Sequence, residues 1–171
     1  MSEIIKVALD AMGGDFAPLE TVKGAVEAIK DEPNLYVQLV GREDDIKKEL
    51  SKYEYNDNQL EIVHAGEVIE MAEPPVMAIR KKKDSSIVKA MQLVKDGKSD
   101  AFVSCGSTGA VLVGGQVLVG RIPGVERPPL APLIPTVDGF ALLIDCGANV
   151  DAKPSNLVQF AKMGSIYMKN I

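Results

Sequence analysis

DAFVSCGSTGAVLVGGQVLVG, residues 100–120, is the stretch whose reading decides the fold. Ala101, Phe102 and Val103 make a short apolar run, Cys105-Gly106-Ser107-Thr108-Gly109 breaks it, and a small-residue helix carrying Val111, Leu112, Val117 and Leu118 is expected to follow. A buried strand that turns through such a sequence into a helix leaves several backbone N–H groups unpaired at the helix start. Glycine lets an anion approach that backbone closely, and the hydroxyls of Ser107 and Thr108 can cap the helix or donate to a phosphate. Taken by itself, the loop fits an ordinary capped strand-to-helix turn equally well.

The same alternation extends outward on both sides. Ile4, Ile5, Val7, Ala8 and Leu9 read as a first buried strand ending at Asp10, followed by Gly13-Gly14, which permits a tight or left-handed turn between the carboxylates of Asp10 and Asp15. Val22, Ala25, Val26 and Ile29 fall at helical spacing, with Pro18 and Glu20 near the start and Pro33 past the end. Residues 35–40 give a second strand closed by Gly41, residues 44–53 a charged surface helix, and Leu60, Ile62 and Val63 a third strand, after which Pro74-Pro75 interrupts. The cation run Arg80-Lys81-Lys82-Lys83 reads on composition as a solvated helix end. It stands just before a helix whose face is Ile87, Ala90, Met91 and Val94, with Ser85 or Ser86 as cap.

Beyond the opening stretch, residues 122–135 hold five prolines in a segment too stiff for a flexible linker and better suited to shape a cleft or an interface. Residues 140–144 are expected to form a further buried strand, with residues 145–149 (DCGAN) as its turn, and Pro154 to start a helix presenting Leu157, Phe160, Ala161 and Gly164. That helix reaches Ile171 with no cap, glycine or polar tail, so the chain is expected to have been cut there. Strands alternating with helices imply an α/β fold, a three-layer α/β/α arrangement with a mostly parallel sheet, over residues 1–171 as one domain portion. Ligands of such sheets sit beyond the carboxyl ends of the strands, where three polar glycine-bearing turns are expected: residues 10–15, 104–109 and 145–149.

Composition narrows the function. With 46% hydrophobic and 25% charged residues the chain is a soluble globular type, and its net charge of −5 argues against nucleic-acid binding. No apolar run approaches the roughly 18 residues needed to cross a bilayer, and a cytoplasmic location is expected. Cys105 and Cys146 with a single His make no zinc cluster, and no His lies in the three turns to activate Cys105, which is expected to be buried and inert. GSTGAVLVGG fits neither GxGxxG nor GxxxxGK[ST]. What is left is phosphate binding by backbone amides with Lys and Arg nearby and carboxylates in reach.

Five collinear blocks carry a resemblance: residues 7–18 (VALDAMGGDFAP), 78–86 (AIRKKKDSS), 103–110 (VSCGSTGA), 120–135 (GRIPGVERPPLAPLIP) and 145–170 (DCGANVDAKPSNLVQFAKMGSIYMKN). Together they closely resemble the PlsX family, the bacterial phosphate acyltransferases of phospholipid synthesis. The resemblance implies a fold like that of phosphotransacetylases and isocitrate/isopropylmalate dehydrogenases. It implies attack of inorganic phosphate on the thioester of a long-chain acyl–acyl carrier protein, in a homodimer peripherally associated with the membrane; a short-chain phosphotransacetylase using acyl-CoA and an inactive binding or regulatory remnant are the alternatives, and no cofactor or metal is expected. Lys82 and Asn149 are then the catalytic candidates, Asn149 as an oxyanion donor. Phosphate would be held by Ser104, Gly106, Ser107, Thr108 and Gly109 with Arg80 and Lys83, and Asp10, Gly13, Gly14 and Asp15 would complete the substrate site. The family commonly carries His where Phe16 stands, Asn where Ser107 stands and small or aliphatic residues at Cys105 and Cys146, and it continues for about as much chain again.

Overall fold

The computed structural model describes residues 3–171, which divide into two compact units between Val119 and Gly120. The first unit is built on β1 (Ile5–Asp10), β2 (Leu35–Gly41), β3 (Leu60–His64) and β4 (Ala101–Val103), all parallel, in the order β3-β2-β1-β4. Parallel strands need crossovers, and helices supply them on both faces. On one face, Val22, Ala25, Val26 and Ile29 of α1 (Leu19–Asp31) and Ile46 and Leu50 of α2 (Glu43–Leu50) close over Val37, Leu39 and Leu60. Fully burying a side chain such as Ile46 stabilises the fold by about 1.5–3 kcal/mol. On the other face, Ala8 and Val40 meet Ala90 of α4 (Ser86–Lys95). The three-layer α/β/α reading therefore holds.

A second core joins α4 to α3 (Pro75–Lys81) and α5 (Thr108–Gly114) through Ile79, Ile87, Met91 and Ala110. Pro75 starts α3 at the first helical position, where its missing N–H costs no intrahelical bond. On α4 the expected face shifts slightly, with Val88 buried and Val94 only half-buried. Ser85 stands at the cap position, yet its hydroxyl donates to the Lys82 carbonyl at 2.8 Å and so does not cap the helix.

The second unit corrects the reading of residues 140–144. They contribute β6 (Gly139–Leu142), an exposed strand paired antiparallel with β5 (Leu133–Thr136) in a two-stranded sheet of its own. The physical reason is the connection: two residues, Val137 and Asp138, followed by Gly139 at φ +136°, can only join antiparallel neighbours. The proline-rich segment thus ends as a strand, with Pro135 opposite Phe140, and the turn at residues 145–149 follows a hairpin instead of a strand of the parallel sheet. In α6 (Pro154–Tyr167) the buried stripe is Asn156, Phe160 and Gly164, while Leu157 is 56% exposed and Ala161 is also exposed.

Candidate functional site

Because β1 and β4 are parallel neighbours with Leu9 opposite Val103, the turns after them emerge side by side. Asp10, the last residue of β1, is buried. Its Oδ1 accepts from the Met12 N–H at 3.1 Å, and its Oδ2 accepts from the Ser104 hydroxyl at 2.7 Å. Ser104 Oγ accepts in turn from the Gly106 N–H at 3.0 Å. A Cβ on Gly13 would lie 2.5 Å from Asp10 Oδ2 and 2.8 Å from the Gly106 nitrogen, so only glycine fits where the turns cross. Gly14 adopts φ +110°, and a Cβ there would meet the Cβ of Cys105 at 3.3 Å.

The structure thus brings Asp10, Gly13, Ser104 and Gly106 into one cluster, with Gly14 against Cys105. Ser107 is the cap of α5, its Oγ accepting from the Ala110 N–H at 3.3 Å. Gly109 packs so tightly on α3 that a Cβ would come within 2.6 Å of Pro75 Cγ. Thr108 and Asp15 are exposed beside these turns. The Gly106 amide is taken by Ser104 and the Ala110 amide by Ser107, and the exposed side chain of Thr108 carries a hydroxyl donor of the loop.

The two expected catalytic groups, Lys82 and Asn149, each have partners within their own unit. Lys82 forms an ion pair with Glu73 and donates to the Val68 carbonyl at 2.7 Å. The Lys82 ammonium bond to Glu73, with the Glu70 amide, holds that carboxyl below the usual range. Nothing in the local sequence pairs Glu73 with Lys82. The loop between them closes only in three dimensions. Arg80 and Lys83 are exposed and have no ion-pair partner among the described residues. Asn149 belongs to the second unit, where its Nδ2 donates to the Pro128 carbonyl at 3.2 Å and to Asp145 Oδ2 at 3.1 Å. Burial pushes the Asp145 carboxyl up, but the amides of Leu130, Asn149 and Ala148 and the Asn149 side chain hold it below the usual carboxylate range.

Cys105 is a free thiol and exposed, contrary to the buried, inert cysteine expected, because it stands past the end of β4 at the rim of an apolar groove. Among the described residues there is no group of three or more His, Cys, Asp or Glu able to hold a metal ion, and no helix is long and apolar enough to cross a membrane.

The chain matches a family model described as "Fatty acid synthesis protein" over residues 5–171. A phosphate acyltransferase from Dictyoglomus turgidum is 55% identical over 168 residues, 98% of this chain and 50% of that protein. One from Clostridium novyi is 53% identical over 167 residues, with the same shares. The chain therefore spans about half the length of the curated relatives it matches. A phosphotransacetylase from Streptococcus pyogenes shares the fold, with a TM-score of 0.65 at 22% identity over 92% of this chain and 51% of that one.

Proposed function

We propose, because the chain belongs to the fatty acid synthesis protein family, that it forms the phosphate side of a phosphate acyltransferase site. The identity to phosphate acyltransferases across 98% of the chain carries this reading. In the reaction an oxygen of inorganic phosphate attacks the thioester carbonyl of a long-chain acyl–acyl carrier protein. The C–O bond forms, the C–S bond breaks, and the carrier leaves as its thiol after taking up a proton, giving acyl phosphate for phospholipid synthesis. Phosphate is already anionic and nucleophilic, so the protein has to position it and stabilise the tetrahedral oxyanion, with no covalent enzyme intermediate.

The proposed division of labour follows the geometry. Asp10, Ser104 and Gly106 lock the two turns together and Gly13 and Gly14 let the backbones approach, while Ser107, Thr108 and Gly109 are the residues proposed to hold the phosphate. Arg80 and Lys83 neutralise it. Lys82, which pairs with Glu73 and donates to the Val68 carbonyl, and Asn149, which donates to Asp145, are the proposed catalytic groups, Asn149 as the oxyanion donor. Homodimer formation and peripheral membrane association are part of the same proposal.

The test is to trap acyl phosphate as the hydroxamate from a full-length protein carrying these residues. Product is expected only when a thioester and phosphate are both present, with acyl–acyl carrier protein the better donor and acyl-CoA the poorer. A folded full-length protein that yields no hydroxamate from either thioester would overturn the reading.

A further inference from the structure

Gly109 is the second residue of α5 and is not one of the positive-φ glycines, so its backbone would accept alanine, which helices favour over glycine. What excludes a side chain there is Pro75. A Cβ on Gly109 would lie 2.6 Å from Pro75 Cγ and 3.4 Å from Pro75 Cβ, so the proline ring rests directly on the turn that opens α5. Further along, Ile79 of α3 stands in the same relation to Gly114, with its Cδ1 3.3 Å from an added Cβ. Helix α3 therefore bears on α5 at two points, each of them a glycine.

Pro75 belongs to a segment that is closed on itself. Glu67 and Ser85 form a parallel bridge, in which the Glu67 N–H donates to the Asp84 carbonyl and the Ser86 N–H to the Glu67 carbonyl, both at 3.2 Å. Asp84 Oδ2 accepts from the Gly66 N–H at 2.7 Å, and Lys82 reaches across the loop to Glu73 and to the Val68 carbonyl. Ala78 and Ile79 bury the inner side of α3. Residues 68–83 are thus braced as one piece, with Pro75 at one end of α3 and the exposed Arg80 and Lys83 at the other.

We propose, resting on the phosphate acyltransferase reading, that Pro75 is a positioning residue for phosphate. By bearing on Gly109 it sets how far the turn that opens α5 stands from Arg80 and Lys83, so the two sides of the phosphate site keep one spacing. Ordinary carbon–carbon contact is about 3.5–4.0 Å, so an alanine at position 109 must part α3 from α5 by about 1 Å. A misplacement of that size can cost up to about a hundredfold in a reaction that depends on orientation.

The experiment compares Gly109→Ala, Pro75→Ala and the double variant in the full-length protein of the hydroxamate assay. Gly109→Ala is expected to raise the KM for phosphate about tenfold or more, with the KM for the thioester as in the parent. Pro75→Ala alone leaves a gap over Gly109 and is expected to raise the phosphate KM about threefold. In the double variant the new methyl group fills that gap, and the phosphate KM is expected to return to within about twofold of the parent. A contact that serves folding alone would lower the melting temperature and the yield of active enzyme and leave both KM values where they are. A parental phosphate KM in Gly109→Ala, an equal rise in both KM values, or a double variant no better than Gly109→Ala would overturn the proposal. Should Gly109→Ala fail to fold, Pro75→Ala decides it: a rise confined to the phosphate KM supports the proposal, and a parental value overturns it. A parent that makes no acyl phosphate defeats the phosphate acyltransferase reading and this role of Pro75 together, whereas an active parent with unmoved variants defeats the role of Pro75 alone.

Discussion

Ser104 donates its hydroxyl to Oδ2 of Asp10 at 2.7 Å, bridging 94 residues of sequence, while its oxygen accepts the Gly106 N–H. One side chain thereby holds the turn after β1 against the turn after β4. Ser104→Ala would leave a buried carboxylate oxygen and a backbone amide short of these partners, which costs about 1–3 kcal/mol. Urea denaturation of the chain should show that loss. A change below about 0.5 kcal/mol, the level of an ordinary surface substitution, would mean that the turns are held by other contacts.

Glycines in this chain divide sharply by what surrounds them. Gly13→Ala forces a Cβ to within 2.5 Å of Asp10 Oδ2 and 2.8 Å of the Gly106 nitrogen, a clash that only a backbone shift can relieve. Gly24→Ala meets nothing and improves helix propensity by about 0.5–1 kcal/mol. The first variant should melt well below the parent and the second slightly above it. Equal melting temperatures would show that the turns yield without cost.

Much of this architecture was legible because burial on both faces leaves a plain trace. The apolar run of β2 and the Val22, Ala25, Val26, Ile29 stripe of α1 need no tertiary information to be read, whereas the run expected to be buried in β1 is so only in part and from Ala8 onward, with Ile5 53% exposed. Residues 140–144 failed for the same reason: apolar content signals burial, yet a two-residue connection fixed them in a hairpin whose strand is exposed. In α6 the apolar period pointed to Leu157, whereas the buried position is Asn156. Its Oδ1 accepts from the Lys153 N–H at 2.9 Å and its Nδ2 donates to Glu126 at 2.8 Å. At the site, the glycine turns were visible as turns, but the Asp10–Ser104 bond depends on β1 and β4 being neighbours, which spacing along the chain does not encode. Lys82 was read as one of four cations, and only its meeting with Glu73 separates it from Arg80 and Lys83.

Acid should loosen the second unit through Asp145. Its carboxyl titrates below the usual range in the folded chain, since the Leu130 and Asn149 amides, each at 2.7 Å, and the Asn149 side chain bind the charged form. A depressed folded pKa means that the stabilisation is fully present above the ordinary carboxylate value of about 4 and is lost as pH falls through the lowered one. The protection of the Leu130 and Asn149 amides, measured against their intrinsic exchange rate at each pH, should therefore fall on acidification, and Asp145→Asn should largely remove that pH dependence. Protection that stays flat down to about pH 3, below the ordinary carboxylate value, or an Asn variant with the parental profile, would overturn this account.

Phosphate itself should discriminate among the residues of the central turn. A ligand that binds only the folded state raises its stability by RT ln(1 + [L]/Kd), so a preformed site appears as a melting temperature that climbs with phosphate at constant ionic strength. Thr108 is exposed at the start of α5, and a hydrogen bond to a charged group is worth about 1.5–3 kcal/mol. Thr108→Ala should therefore weaken the apparent phosphate affinity by roughly ten- to a hundredfold while leaving the phosphate-free melt nearly unchanged. Cys105→Ala, at the rim of the same turn, should alter neither, because no bond to phosphate is assigned to its sulfur. Lys83→Ala should weaken phosphate more than Lys82→Ala does, whereas Lys82→Ala should lower the phosphate-free melt by breaking the contacts to Glu73 and Val68. Sodium sulfate matched in ionic strength separates binding from screening. A full-length protein whose melt ignores millimolar phosphate, or a Lys82 variant that loses phosphate protection while keeping its parental melt, would place the phosphate elsewhere than on this turn.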